Sequence, residues 1–283
     1  MNLSRRGLLG AAGLGLVSGC GQAGNAQSPS DGRGATPTRH RYRQLHPDQF
    51  GDLYLPAETP RGTIVLLHGG YWFAEYSLSL MEPIARTLVH AGWAVWNLEY
   101  RRLGRGGGWP ATFTDVAAGV DHVARLPVPG RPVLLGHSAG GQLAVWAASR
   151  DRRTPGGPAA VAVRGAVSLS GVLDLTFGAK EFLGNGAVPQ LMGGTPEQVA
   201  RRYDLGDPTR LVPAHAPVWC VYAQSDQVVP SSQSSTYAAA TRRRGGKVEL
   251  LGVPGDHFAL IDPTSAAWKR TVPLLSAASA APG

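Results

Sequence analysis

Six short aliphatic runs, separated by longer stretches of helical pattern, constrain this chain more than any other feature. They are TIVLLHGG (63–70), WAVWNLEY (93–100), RPVLLGHS (131–138), VRGAVSLSG (163–171), PVWCVYAQ (217–224) and KVELLGV (247–253). Several carry continuous rather than alternating aliphatics, as strands do in a parallel sheet covered on both faces. The intervening segments 78–90, 114–125, 140–149, 232–244 and 265–276 read as helices. Parallel strands need crossover connections, and those crossovers are right-handed. The expected class is therefore α/β, a doubly wound and mostly parallel sheet with helices on both faces. With 283 residues, 43% of them hydrophobic, the chain can fill one such core. Residues 174–214 break the rhythm, with no clear strand. They are expected to form a short helical cap over the C-terminal edge of the sheet, where open α/β sheets bind ligands.

The N-terminus follows a different logic. MNLSRRGLLGAAGLGLVSGC places Arg5 and Arg6 before an apolar stretch (7–17), then small residues up to Cys20. The apolar part is too short to span a bilayer, so residues 1–19 read as an export signal. SRRGLL resembles a twin-arginine export motif. VSGC resembles a bacterial lipobox, in which cleavage before Cys20 leaves its thiol to carry a lipid. The competing reading is an ordinary signal cleaved near Ala26. Residues 20–41, rich in Gly, Ser, Pro and Gln, have too little apolar surface to offset their ordering entropy and read as a tether. A folded domain over 42–283 is expected, on a cell-surface or periplasmic lipoprotein anchored to the membrane through Cys20, or otherwise secreted.

The net charge of +8 comes from 27 basic and 19 acidic residues. The arginines are scattered in pairs and short runs without interleaved aromatics, so no nucleic-acid partner is expected. The densest run, Arg242 to Arg244, precedes Gly245 and suits a solvated helix C-terminus. Two cysteines make no disulfide framework, and Cys220, within APVWCVYA, reads as a small buried core residue. No H-E-x-x-H or paired-cysteine spacing is present, so no metal is expected.

Chemistry concentrates at GHSAG (136–140). In a strand-to-helix elbow the serine is held in strained geometry, and bulky residues two positions away would clash. Gly136, Ala139 and Gly140 relieve that crowding and leave the Ser138 hydroxyl exposed at a helix N-terminus. LLHGGYW ends an earlier strand. Acyl transfer needs two converging backbone N–H donors for its oxyanion. One is expected from Ala139, the other from this glycine-rich loop at Gly70 or Tyr71, with His68 ordering the loop rather than acting as base. A serine nucleophile also needs a base and an orienting carboxylate. SDQVVP places Asp226 after a strand, and DHFALID places His257 after the last one. Asp174 is the reserve acid; Asp256 and Asp262 read as loop or capping residues. Tyr71, Trp72, His137, Trp109 and Phe258 are candidate walls of a substrate pocket, with core or cap packing the competing reading for the aromatics.

Together HGGYW, GHSAGG, SDQVVP and DHFALID resemble the α/β-hydrolase superfamily, in the branch of kynurenine formamidase-like and hormone-sensitive-lipase-like esterases. EYRRLGRGGGWPATFTDVAAGVDHV resembles bacterial members of that branch. The resemblance spans roughly Gln44 to the C-terminus. It implies a cofactor-free serine hydrolase acting on a carboxylic ester or small amide, with Ser138, Asp226 and His257 as triad and the HGGYW loop as oxyanion site. Tyr71 stands at a position that is often glycine, as in the formamidase-like members, which points toward aryl formamides or small aromatic esters. Export is at odds with a cytosolic catabolic role, so ester cleavage is the expected activity. Amide cleavage, peptidase activity and a non-catalytic binding lipoprotein on the same fold are the alternatives.

Overall fold

The computed structural model describes residues 36–281. The expected export signal, the lipid attachment at Cys20 and most of the expected tether lie outside the described residues. Strands β1 (Thr38–Arg41), β2 (Phe50–Tyr54), β3 (Thr63–Leu67), β4 (Ala94–Leu98), β5 (Val133–His137), β6 (Gly165–Leu169), β7 (Val218–Ala223) and β8 (Val248–Val253) make one sheet. Their order is β1–β2–β4–β3–β5–β6–β7–β8. The six aliphatic runs are β3 to β8, each parallel to its neighbours within that set.

β1 and β2 were not expected, and they are antiparallel additions at one edge. The sheet thus begins at Thr38, inside the stretch expected to be tether. TRHR carries no aliphatic run because β1 is an edge strand whose side chains meet water. Arg39 there pairs with Asp52 of β2 at 2.7 Å.

Alternation along each strand divides the core in two. On β3, Val65 and Leu67 face one cluster while Ile64 and Leu66 face the other. Helices α2 (Ala111–Asp121), α3 (Ala139–Ala148) and α7 (Ser232–Arg243) cover the first face; α1 (Glu82–His90) and α8 (Ala266–Ala280) cover the second. Each fully buried leucine or valine of the central strands contributes roughly 1.5–3 kcal/mol. Every residue of α3 is buried, which explains its unbroken apolar pattern. In α1, Glu82 and Pro83 suit the first turn, and Gly92, with φ +83°, follows its end.

The irregular region is the expected set of short helices: α4 (Leu175–Lys180), α5 (Leu183–Met192) and α6 (Ala200–Gly206). It docks onto α3 by hydrogen bonds: Trp146 Nε1 donates to Leu205 O at 2.9 Å, and Gln142 Nε2 to Gly206 O at 3.1 Å.

Candidate active site

β5 ends at His137 and α3 starts at Ala139, so Ser138 alone turns the chain. It does so at φ 56°, ψ −121°, a conformation strained for a residue with a Cβ. The expected steric relief is present. A side chain at Gly136 would strike the Gly140 carbonyl, and one at Gly140 would strike the carbonyls of Leu67 and His68. Ser138 N donates to Leu169 O at 2.8 Å, and its carbonyl accepts from Gly141 N at 2.9 Å, so β6 and the first turn of α3 pin the elbow.

The loop after β3 approaches the elbow closely. A Cβ on Gly69 would lie 2.9 Å from His137 O and 3.0 Å from Ser138 Cβ, which only glycine avoids. His68 orders this loop, as expected. Its Nδ1 donates to Gly69 O at 2.8 Å, its Nε2 lies 2.9 Å from Glu99 Oε1, and its ring stacks on Tyr100. Glu99 also accepts from the backbone N–H groups of Leu78 and Tyr100. Burial pushes its carboxyl up, but His68 and Arg102 outweigh burial and hold it below its ordinary range. Sequence reasoning missed Glu99; the available signal was a lone carboxylate closing the aliphatic run WAVWNL. The backbone N–H groups of Gly70, Tyr71 and Ala139 have no acceptor among the described residues.

Asp226 and His257 meet as expected. His257 Nδ1 donates to Asp226 Oδ2 at 2.7 Å, leaving Nε2 for another partner. Asp226 Oδ1 accepts from Val228 N at 2.8 Å and Val229 N at 2.9 Å. Burial pushes the Asp226 carboxyl up; the His257 hydrogen bond and the Val229 N–H pull harder, and it settles at about 2. The rival carboxylates are occupied elsewhere. Asp174 caps α4 through Phe177 N at 2.8 Å, Asp256 caps Phe258 and Ala259, and Asp262 caps Thr264. Cys220 is buried, which pushes its thiol up to about 12.

Ser138 and His257 line one cavity of about 190 Å³ with Gly70, Tyr71, Tyr76, Leu80, His137, Val228 and Phe258. Among the described residues the His257 ring bonds Asp226, and no direct hydrogen bond joins it to the Ser138 hydroxyl. Ser138, Asp226 and His257 follow β5, β7 and β8, so all three stand at the C-terminal edge of the sheet. A larger cavity, about 810 Å³, lies near the opposite ends of the strands, between Arg131, Ala148, Arg164 and Pro217, remote from this constellation. Among the described residues no group of three His, Cys, Asp or Glu side chains is placed to hold a metal ion.

Residues 51–240 match the BD-FAE family model. The chain belongs to the BD-FAE family. Esterase LipQ of Mycobacterium tuberculosis is 28% identical over 211 residues, covering 69% of this chain and 49% of LipQ. The chain thus spans about half the length of that curated relative. Among solved structures, a truncated form of a carbohydrate esterase from gut microbiota has a TM-score of 0.73 at 21% identity, covering 89% of this chain and 99% of that one. Esterase B from Lactobacillus rhamnosis has a TM-score of 0.71 at 19% identity, covering 87% of this chain and 86% of that one. The fold is the α/β-hydrolase fold, as the sequence motifs implied.

Two expected pocket residues of this BD-FAE chain are elsewhere. Trp72 is fully buried in the core cluster shared with α2 and α3 and does not line the Ser138 cavity. Tyr71 and Trp72 both have positive φ, 48° and 61°, and it is Tyr71 that takes the cavity wall. Trp109 packs edge-to-face on Phe113, with ring centroids 5.1 Å apart, and lines a separate groove with Val199 and Leu205. Its backbone N–H donates to Leu191 O at 2.7 Å, which ties it to the cap. His137 and Phe258 do line the cavity. Tyr76, Leu80 and Val228 also line it without having been singled out; Tyr76 and Leu80 come from the segment between β3 and α1, and Val228 from the turn that carries Asp226.

Proposed function

We propose that the chain is a carboxylic ester hydrolase working through an acyl-enzyme, with Ser138 as nucleophile, His257 as general base and Asp226 holding the imidazole. The observation that carries this reading is the 2.7 Å Asp226–His257 hydrogen bond beside a serine on a strained elbow in the same cavity. With Nδ1–H bound to an ionised Asp226, the imidazole is fixed in the tautomer whose Nε2 accepts the Ser138 proton during attack on a carbonyl. The freed N–H groups of Ala139 and of Gly70 or Tyr71 stabilise the resulting oxyanion. His257 then protonates the leaving alcohol, and water cleaves the acyl-enzyme with His257 again as base. The similarity to proteins named esterases supports the same class. The small cavity, walled by Tyr71, Tyr76, Leu80 and Phe258, suits a short acyl group and a small or aromatic ester.

The test is hydrolysis of p-nitrophenyl acetate by the wild type and by Ser138→Ala, with fluorophosphonate labelling of both. Loss of turnover by several orders of magnitude and loss of labelling are expected in the variant. Undiminished turnover would overturn the assignment, and faster cleavage of aryl formamides than of aryl esters would move it to amide hydrolysis.

Export and membrane anchoring belong to the same proposal. They rest on Arg5, Arg6 and the small residues before Cys20. Among the described residues no helix is long and apolar enough to cross a membrane. Mass spectrometry of the mature N-terminus is expected to find a lipidated Cys20, and an unmodified N-terminus near Ala26 would replace the anchor with secretion.

A further inference from the structure

Ser138 and His257 come to the cavity from segments far apart in the chain, so their mutual placement depends on what ties the elbow to the loop after β8. Among the described residues, one side-chain hydrogen bond joins the two directly. It runs between His137 Nε2 and the backbone carbonyl of His257, at 3.0 Å across a separation of 120 positions. A carbonyl oxygen only accepts, so Nε2 carries a hydrogen and donates it.

The ring contributes as well. The His137 and His257 centroids are 4.5 Å apart with the planes tilted by 49°, and the Phe258 ring stands edge-on to His257 at 5.4 Å. The imidazole of His257 is thus flanked by two aromatic rings while Asp226 holds its Nδ1. Of the two flanking residues, His137 is the rigid one. It is buried, and as the last residue of β5 it pairs with Leu169 of β6, whereas Phe258 is half exposed. His137 Nδ1 has no partner among the described residues, as expected of a neutral ring whose one hydrogen is already engaged at Nε2. Burial, then the neighbouring His257, push its pKa down to about 3. Neutrality matters here, because a cation this close would oppose the imidazolium that His257 must become during attack.

We propose that His137 is a positioning residue, which holds the His257 backbone through Nε2–H and braces the His257 imidazole within reach of Ser138. This rests on reading Ser138 as nucleophile and His257 as base. It assigns His137 a role other than the substrate contact expected from the motif. The chain neighbour of the nucleophile sets where the base stands, so a shift of the last strand's loop cannot separate the two groups without breaking this bond.

The test compares His137→Leu, which fills the space without a donor, with His137→Gln, whose amide N–H reaches about as far as Nε2. kcat and KM for p-nitrophenyl acetate, the fluorophosphonate inactivation rate and thermal midpoints are measured on each. His137→Leu is expected to lower kcat on the order of 10²-fold, as a misplaced catalytic group does, and to slow inactivation in parallel. KM should change little, and His137→Gln should recover most of the loss. A His137→Leu enzyme with wild-type kcat, or a folded His137→Gln enzyme as slow as the leucine variant, would overturn the proposal. If the leucine variant does not fold, His137→Asn replaces it. Its shorter arm does not reach the Nε2 position, so it should be slower than His137→Gln, and equal rates would count against the role. Persisting turnover in Ser138→Ala would instead mean that the parent reading, not this inference alone, is wrong.

Discussion

The Tyr71 hydroxyl donates to the Val228 carbonyl at 2.8 Å, joining the glycine-rich loop after β3 to the turn that holds Asp226. Val228 N in turn donates to Asp226 Oδ1, so the loop and the acid-bearing turn are bonded through one residue. Burial, with the Asp226 charge adding to it, pushes the Tyr71 phenol up to about 12, so the donor keeps its proton at any assay pH. Tyr71→Phe should lose about 1 kcal/mol of stability and lower kcat/KM a few-fold. Tyr71→Ala should open the cavity and shift preference from acetyl toward longer acyl esters. A series of p-nitrophenyl esters of increasing chain length checks both; an unchanged chain-length profile in the alanine variant would rule out Tyr71 as a wall.

Asp226 stands apart from the rival carboxylates because it alone meets the His257 ring. Asp226→Asn keeps the shape but no longer favours the hydrogen on Nδ1, and kcat should fall by about 10⁴-fold with KM little changed. Asp226 titrates at about 2, so any loss of wild-type activity between pH 4 and 7 must come from another group. A comparably large loss in Asp174→Asn, with Asp226→Asn near wild type, would transfer the role to the reserve acid.

His137 links pH to stability. Its ordinary value of 6.5 applies to the unfolded chain, and about 3 to the folded one, with burial the larger cause and His257 the smaller. Between those values only the unfolded chain binds the proton. Stability is therefore lost as pH falls from about 6.5 toward 3, by roughly 1.4 kcal/mol per pH unit for this group, and is unaffected above that window. Asp226 acts in the same direction but only below about 4, where its unfolded carboxyl begins to protonate. Urea midpoints at pH 7, 6, 5 and 4.5 should fall less steeply in His137→Gln than in the wild type. Parallel slopes would contradict the burial of a neutral ring.

Trp109 belongs to the packing between α2 and the cap. Trp109→Ala should leave KM for a small ester unchanged while lowering stability by about 3 kcal/mol, measured by urea unfolding. A raised KM at full stability would return the indole to the pocket.

Much of this architecture is legible without coordinates because its causes are local. Continuous aliphatics mark strands buried on both faces, and Gly136 marks an elbow because the clash it avoids, with the Gly140 carbonyl, lies within a few residues of Ser138. The edge strands were not legible: β1 carries TRHR, and only pairing with β2 makes it a strand. Nor was the parting of Tyr71 and Trp72, neighbours in one motif that go to a cavity wall and to the core.

The sequence by itself determined the class of fold, the strained serine, and the order in which a carboxylate and an imidazole follow it. Those rest on burial periodicity and short-range sterics, which a linear string records directly. Only the tertiary structure decided that Glu99 supports His68, that Tyr71 reaches Val228, and that His137 bonds the carbonyl of His257. The physical reason is that each of these bonds closes between segments brought together by packing of the whole sheet, and no local pattern marks its two ends.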